Sequence, residues 1–353
     1  MKSKIPIRNI YYMLAYAHNS LQFKEFKRVG EEEFENVLEL YATILSLGVP
    51  TLIRAGLLKE YRVFTEQSGV VRGKINLSET VKSNSLIRKK LVVSYDQFSE
   101  DNLLNQIIKA TLEKLRSQKS VNAQIRKKLF SLLPFFSDVS DVQLNLRLWD
   151  AITYSKQNMR YNFMVDICRY AYEQILIDQS QDDFLRKGVE DERKLSALYE
   201  KFVYEFYRKE SPYTVTHRQI NWLVNDKNTA ALPKMQTDIV LNDGKSTLII
   251  DTKFYSANMA RSFESAEYKQ LSSNLYQMFA YLNNWSMVTD VNVGGMILYA
   301  KTSDEHQPNH SYWIKGQSIV IEVLDLDQPF NHITDQLMKL AKDSFDRIRI
   351  GIQ

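Results

Sequence analysis

Cysteine is almost absent from this 353-residue chain, which has only Cys168. A single thiol excludes a disulfide framework and a cysteine-based zinc cluster, and it suits a reducing compartment. The histidines are also few, and none has metal-ligand spacing. No N-terminal apolar run is typical of a signal peptide, and no apolar stretch of about 18 residues could span a bilayer. We therefore expect a cytoplasmic protein that uses no membrane.

Strong charge and a nucleotide-binding loop are missing as well. The net charge of +4 permits nucleic-acid binding without arguing for it. Gly244-Lys245-Ser246 ends like a Walker A motif, but Ile239 stands where the first glycine of that loop is required. The sequence therefore predicts no nucleotide-hydrolysing engine in this chain.

The most informative segment runs from 236 to 253 and reads as two strands joined by Asp243-Gly244. This dipeptide favours a two-residue type I′ turn, and that turn sets the register. Asp238 would then oppose Ile249, so Asp251 is its diagonal neighbour, roughly 7–8 Å away at Cα. Because alternate and directly opposed residues share a face, one face carries Asp238, Asp251 and Lys253.

The opposite face of this hairpin is apolar and must be buried; it carries Ile239, Leu241, Leu248 and Ile250. An Asp-x-Lys tripeptide alone means little, since Asp243-Gly-Lys245 also occurs in the turn. The conjunction with an upstream acid and a buried strand is more specific. Downstream, Gln277 and Tyr281 lie four apart in a helical pattern and share one helix face. Together these residues are typical of a metal-dependent nuclease core.

These residues resemble the PD-(D/E)xK nuclease superfamily, in its RecB-like branch with a Q-x-x-x-Y helix. Two carboxylates with open positions suit Mg²⁺, for which Mn²⁺ is expected to substitute. Asp238 and Asp251 are the predicted metal ligands, with the backbone carbonyl of Thr252 as an additional ligand. Lys253 would orient or help deprotonate the attacking water, and Gln277 and Tyr281 would contact the DNA backbone.

A third acid on the preceding helix is often used in this superfamily. Glu200 is the favoured candidate, Glu205 remains open, and a solvated helix face explains Glu200 equally well. Where the superfamily expects Pro-Asp, this chain has Thr237-Asp238, with Pro233 displaced upstream. The departure is expected to be harmless, because the proline carries no chemistry.

A second resemblance covers nearly the whole chain. The segments 5–17 (IPIRNIYYMLAYA), 69–75 (GVVRGKI), 100–109 (EDNLLNQIIK) and 198–206 (LYEKFVYEF) are similar to the McrC family. McrC proteins are nuclease subunits of McrBC modification-dependent restriction systems. The resemblance implies a bacterial or archaeal protein that cuts double-stranded DNA carrying modified bases, such as 5-methylcytosine, in antiviral defence. It implies cutting only in assembly with a hexameric McrB-like AAA+ GTPase whose NTPase it stimulates.

The predicted fold class is mixed α/β in two domains. An N-terminal α+β domain (1–180) has helices at 1–25, 33–58, 101–118, 121–133 and 157–177. It carries a β projection at about 59–98, with strands at 61–64, 69–77 and 91–95. A polar linker at 178–183 leads to a nuclease domain (190–353). Its α-β-β-β-α-β order comprises a helix at 194–210, strands at 213–222, 234–242 and 245–253, a helix at 267–284 and a strand at 293–299.

The projection carries a basic cluster. The resemblance implies that such a projection inserts into the partner ring, and the same charges could instead touch DNA phosphates. The residues concerned are Arg72, Lys74, Arg88, Lys89 and Lys90. Two other interpretations stay open for the chain as a whole: a non-catalytic adaptor that activates an AAA+ ring, and a stand-alone RecB-like nuclease. An adaptor has no need of the acids and lysine of the hairpin.

Overall fold

The computed structural model describes residues 5–18, 34–179, 184–225, 231–261, 268–286 and 292–351. The chain divides into two compact units, and mixed helices and sheets confirm the predicted α/β class. One unit, here called the inserted unit, spans Phe34–Ser180. The other, the flanking unit, combines Met1–Glu33 with Gln181–Gln353. The predicted first domain was therefore wrong at its start, because the N-terminal helix belongs to the flanking unit.

Helices build most of the inserted unit. They are α2 (Val37–Arg54), α3 (Leu77–Lys82), α4 (Leu103–Ser117), α5 (Ala123–Leu132), α6 (Arg147–Asp150) and α7 (Asn162–Gln179). Asn36 begins α2 by accepting a hydrogen bond from the Glu39 amide, 2.9 Å away. By length and composition α2 could cross a membrane, but 67% of its most apolar window is buried inside the protein. Such burial is what a core helix shows. The predicted linker at 178–183 lies partly outside the described residues.

The projection is a long hairpin of β1 (Glu60–Ser68) and β3 (Leu91–Ser99), with β2 (Lys74–Ile75) on the outer side of β3. The predicted strand at 69–77 was wrong, since only Lys74–Ile75 pairs and α3 begins at Leu77. Gly73 allows the turn immediately before β2. Its φ is +66°, and a Cβ there would come within 2.4 Å of the Ser94 carbonyl oxygen.

Hydrogen bonds and an ion pair hold the base of the projection. The side-chain amides of Asn102 and Asn105 both donate to the Leu58 carbonyl, at 2.7 and 2.9 Å. Asp101 pairs with Arg62 of β1 and accepts hydrogen bonds from Gln106 and Ser140. Burial acts to raise the pKa of Asp101, but these bonds and Arg62 outweigh it and hold the pKa at about 2. The 100–109 segment is therefore structural, because it anchors β1 to α4.

A six-stranded mixed sheet forms the centre of the flanking unit, in the order β12-β13-β11-β8-β7-β4. Its strands are β4 (Thr214–Thr216), β7 (Ile239–Asn242), β8 (Ser246–Lys253), β11 (Asn292–Ala300), β12 (His310–Ile314) and β13 (Gln317–Leu324). Four short strands pair outside it: β5 (Gln219–Ile220) with β6 (Met235–Gln236), and β9 (Met259–Arg261) with β10 (Tyr268–Gln270). The strand predicted at 213–222 is thus split into β4 and β5.

Helices cover both faces of this sheet. They are α1 (Ile7–Ala17), α8 (Phe184–Glu210), α9 (Ser272–Ser286) and α10 (Phe330–Ile350). Two adjacent glycines of β11 show how closely the helices approach. A Cβ on Gly295 would meet Met278 of α9, and one on Gly294 would meet Ile348 of α10. The predicted α-β-β-β-α-β order is present, although α9 begins at Ser272 instead of 267 and α8 at Phe184 instead of 194.

Helix α1 is part of the flanking unit's core. Its side chains Tyr11, Met13, Leu14 and Tyr16 are buried. The Asn9 amide donates to the carbonyls of Leu326 and Gln328, each at 2.8 Å. These bonds join residues more than 300 positions apart in sequence. The inserted unit is therefore placed between α1 and the rest of the flanking unit along the chain.

Deletion of residues 1–17 should unfold the flanking unit. Burial of each of the four large side chains of α1 stabilises the fold by about 1.5–3 kcal/mol. Their sum is comparable to the whole free energy of unfolding of a domain, roughly 5–15 kcal/mol. Thermal unfolding followed by circular dichroism should show the loss of one cooperative transition. Leu14→Ala should lower the midpoint temperature of that transition, because it reduces the free energy of unfolding by about 2–5 kcal/mol. Arg8→Ala, at an exposed position of the same helix, is the control. A full transition in the truncated chain would contradict this assignment.

Candidate active site

The turn of the β7–β8 hairpin lies one residue further along the chain than the sequence predicts. The ladder pairs Asn242 with Thr247, and the Asp243 amide donates to the Ser246 carbonyl at 3.2 Å, which leaves Gly244 and Lys245 as the central residues. Type I′ needs positive φ at both central residues, whereas Gly244 is positive (+88°) and Lys245 is not. The Asp243 carboxylate accepts hydrogen bonds from the amides of Lys245 and Ser246, at 2.8 and 2.7 Å. The predicted type I′ turn at Asp243-Gly244 was wrong, because Asp243 flanks the turn and caps it.

The acids nevertheless share a face. The observed register is shifted by two residues, and an even shift keeps every side chain on its predicted side. The ladder ends at Ile239, and Asp238 lies just before it in a bend, so its predicted diagonal relation to Asp251 stays a prediction. The second, apolar face is buried as predicted. Val240 and Ile249, on the same face as the acids, are also buried, in the cluster that includes Met278 and Tyr281 of α9.

A β-bulge at Asp238 re-aims its carboxylate. Thr216 pairs with Val240 and Gln219 with Gln236, so the second strand contains one extra residue between these pairs. Thr237 closes the bulge: its amide donates to the Arg218 carbonyl at 3.0 Å, and its hydroxyl lies 3.1 Å from the Arg218 amide. A proline at position 237 could not donate this bond. Sequence reasoning missed this role of Thr237, since a bulge leaves no periodic signal.

The Asp238 carboxylate accepts a hydrogen bond from a backbone amide of the neighbouring strand. Its Oδ2 accepts hydrogen bonds from the Thr252 amide at 2.8 Å and the Thr252 hydroxyl at 2.9 Å. This contact fixes the half-buried carboxylate beside the C-terminal end of β8. A role for the Thr252 carbonyl remains a prediction.

Asp251 and Lys253 form a buried ion pair. Asp251 is 1% exposed and Lys253 14%, and Nζ lies 2.7 Å from Oδ2. Burial raises the pKa of Asp251, opposed by Lys253 and reinforced by Asp238. Burial alone would lower the pKa of Lys253, but the Asp251 carboxylate outweighs it and raises that pKa. The lysine is therefore an ammonium at neutral pH in this arrangement.

The helical pair continues this network. Lys253 Nζ donates to Gln277 Oε1 at 3.1 Å, and Gln277 Nε2 donates to the Tyr281 hydroxyl at 2.7 Å. The Tyr281 hydroxyl donates to the Gln236 carbonyl at 2.8 Å. The structure thus brings together five predicted residues, Asp238, Asp251, Lys253, Gln277 and Tyr281, between the hairpin and α9.

Glu200 of α8 faces the same group. Burial raises its pKa to about 7, with further repulsion from Asp238 and Asp251. Glu205, the alternative, instead pairs with Arg208 at 2.6 Å and Lys209 at 3.9 Å. The geometry therefore favours Glu200 as the third acid, and its role stays a prediction.

The donor set fits a divalent cation at Asp238 and Asp251. Asp251 Oδ1 is buried and accepts no hydrogen bond from a described residue, which leaves it available to a ligand. Among the residues that the structure describes, no three His, Cys, Asp or Glu side chains converge into a preformed metal site. Such a site, with two protein carboxylates and open positions, suits Mg²⁺, which keeps several waters.

The predicted docking residues all lie on the projection and are exposed. Arg72 stacks over the Tyr95 ring at 4.1 Å, so part of its role is structural. Their neighbours at the tip are apolar and equally exposed: Val70, Val71, Leu77, Val81, Leu86 and Ile87. Sequence analysis singled out the charges and missed these side chains. Exposed apolar residues gathered in one patch are typical of a protein interface.

Comparisons with known proteins agree with the sequence resemblance. The family described as "McrBC 5-methylcytosine restriction system component" matches residues 3–300. The chain is 31% identical over 345 residues to the type IV methyl-directed restriction enzyme EcoKMcrBC of Escherichia coli K12, covering 95% of this chain and 97% of that protein.

A solved structure shares the fold. It is a half-complex from the tetradecameric assembly of Thermococcus gammatolerans McrB AAA+ hexamers with bound McrC. The TM-score is 0.53 at 16% identity, covering 97% of this chain and 76% of that one. Family match, identity and fold lead to one conclusion: the chain is a McrBC restriction system component related to McrC.

Proposed function

We propose that this chain is the Mg²⁺-dependent endonuclease subunit of a McrBC-like restriction system, with a PD-(D/E)xK core. The observation that carries the proposal is the buried Asp251, paired with Lys253, beside an Asp238 whose carboxylate is held by the neighbouring Thr252. A buried carboxylate that keeps an unpartnered oxygen is costly for folding, and such costs are typical of functional sites.

The chemistry follows from the residue types. A bound Mg²⁺ would be held by Asp238 and Asp251 and would polarise the scissile phosphate and stabilise the leaving oxygen. Lys253, held as an ammonium, suits orienting the attacking water and offsetting charge on the phosphate better than removing a proton. Gln277 fixes the lysine head group, and Tyr281 fixes Gln277. Glu200, whose pKa is raised by burial beside Asp238 and Asp251, is proposed as a third acid for the metal.

The partner is proposed to be a McrB-like AAA+ hexamer. The chain belongs to the McrBC family, and the Thermococcus relative of like fold is bound to such hexamers. The projection offers an exposed apolar and basic tip for docking in the ring and stimulating its NTPase. The substrate is proposed to be double-stranded DNA carrying 5-methylcytosine, in line with the family description.

A pure adaptor is the second candidate, because the exposed tip would serve it equally well. The buried acid–lysine group weighs against it, since an adaptor would gain nothing from that cost. DNA cleavage distinguishes the two candidates, since the nuclease subunit cuts DNA in the assembled complex and the adaptor does not.

Lys253→Ala should abolish cleavage of methylated plasmid DNA by the chain assembled with its AAA+ partner, nucleotide and Mg²⁺. Loss of the ammonium beside the reacting phosphate should cost about 10²–10³-fold. The chain supplies its own control in Lys245→Ala, from the Asp-x-Lys tripeptide in the turn, which should cut normally. Equal cleavage by both variants would refute the site, and no cleavage by the wild type would favour the adaptor.

A further inference from the structure

A groove of about 340 Å³ lies on the face of the sheet that α9 covers, near the turn of the β7–β8 hairpin, and Val240 forms part of its floor. Its lining includes Thr214, Thr216, Asn242, Thr247, Arg218 and Trp285. None of the described lining residues is acidic. The lining is mostly apolar, and its hydroxyls, one amide and one guanidinium suit sugar–phosphate, because they offer donors and no negative charge.

Arg218 is held ready for such a ligand. Its guanidinium stacks over the Trp285 ring at 5.5 Å and pairs with no carboxylate among the described residues. Its backbone is clamped to Thr237, the residue immediately before Asp238. The arginine therefore has a fixed position relative to the acids and an unneutralised charge.

Helix α9 connects the two places. Gln277, Tyr281 and Trp285 are spaced by four and follow one helix face. The first contacts Lys253, the second contacts the Gln236 carbonyl, and the third carries Arg218. Eight helical residues span about 12 Å, which is within the reach of a few nucleotides of one DNA strand.

We propose that Arg218 and its groove bind a backbone phosphate of the DNA strand, a few nucleotides from the scissile phosphate. The inference rests on the proposed nuclease function. Thr237 is a positioning residue in this arrangement, because it fixes both Arg218 and the bulge that aims Asp238. The contact reads no base, so it sets affinity and the position of the strand.

The test is the affinity of the full-length chain for a short methylated duplex, measured by fluorescence anisotropy in EDTA at several salt concentrations. Arg218→Ala should weaken binding roughly tenfold and flatten the slope of log affinity against log salt by about 0.9. Arg218→Lys should retain much of the slope. The matched control is Arg347→Ala, which removes another arginine that stacks on a tryptophan, 5.1 Å from Trp313, on α10. It should bind as the wild type does.

A smaller fraction of folded protein lowers the apparent affinity without changing the salt slope, so the slope separates a lost phosphate contact from a loss of active protein. If Arg218→Ala should fold poorly, Arg218→Gln gives the same comparison. An unchanged affinity and slope, or a wild type without salt-dependent binding, would overturn the inference. Cleavage is scored separately: a wild type that binds but never cuts removes the nuclease function and leaves the Arg218 contact standing.

Discussion

Asp251→Asn should abolish DNA cleavage while making the metal-free chain more stable at pH 8. If Asp251 is the proposed metal ligand, its removal should cost several kcal/mol of transition-state stabilisation, or roughly 10³-fold in rate. The gain in stability has a different origin. Folding buries Asp251 and raises its pKa, so the ionised carboxylate disfavours the folded state. Asparagine keeps the shape and removes that cost.

The pH dependence gives the sign of this effect. An acid whose pKa is higher in the folded state destabilises the protein above that pKa, and the penalty disappears as the acid becomes protonated. The melting temperature of Asp251→Asn should therefore exceed that of the wild type at pH 8, and the difference should close as the pH falls towards 5. Differential scanning calorimetry in EDTA measures both. A lower melting temperature at pH 8 would contradict the buried-charge account.

The matched control is Asp325→Asn. Asp325 pairs with Lys301 at 2.6 Å at the end of β13, two strands away from Asp251 in the sheet, and it is partly exposed. This variant should cut DNA normally and gain no stability. Loss of cleavage in both variants would mean that any carboxylate at this sheet edge is required.

The double replacement Leu86→Asp with Ile87→Asp should remove stimulation of the partner's NTPase. These side chains are 56% and 83% exposed at the tip of the projection. Burying each in an interface is worth about 1.5–3 kcal/mol, and an aspartate there must also be desolvated. Stimulation at sub-saturating concentrations should fall about a hundredfold or more. The NTPase assay needs no DNA, so it isolates docking from cutting.

Phe135→Asp with Met159→Asp is the control, since these residues of the same unit are 56% and 55% exposed outside the projection. It should stimulate normally. Replacing Arg72, Lys74 and Arg88–Lys90 with alanine should weaken stimulation as well, if these charges contact the ring. Should only DNA affinity fall in that variant, the charges bind phosphates and the apolar tip alone docks.

The sequence was sufficient to place both acids and the lysine on one face. Face assignment depends only on the period of two along a strand, so it survived an error of two residues in the register. It could not reveal the bulge at Asp238, because one inserted residue leaves no pattern. Nor could it show that Asp251 is almost fully buried, since α9 reaches the hairpin from another part of the chain.

Long-range contacts account for most of the remaining differences between the prediction and the structure. Helix α1 was correctly predicted as a helix, but its hydrogen bonds to Leu326 and Gln328 join it to the other end of the chain. No local pattern identifies such partners. The prediction also stopped at residue 299, before β12, β13 and α10 complete the sheet and its second helical layer.

We propose that the acid site cuts DNA only when the chain is assembled with its AAA+ partner and nucleotide. The most direct measurement is cleavage of methylated plasmid by the wild-type chain in Mg²⁺, alone, with the AAA+ partner, and with the partner and hydrolysable nucleotide. We expect double-strand cutting in the last reaction and little or none in the first two. Specific, nucleotide-independent cutting by the chain alone would contradict it and identify a stand-alone nuclease.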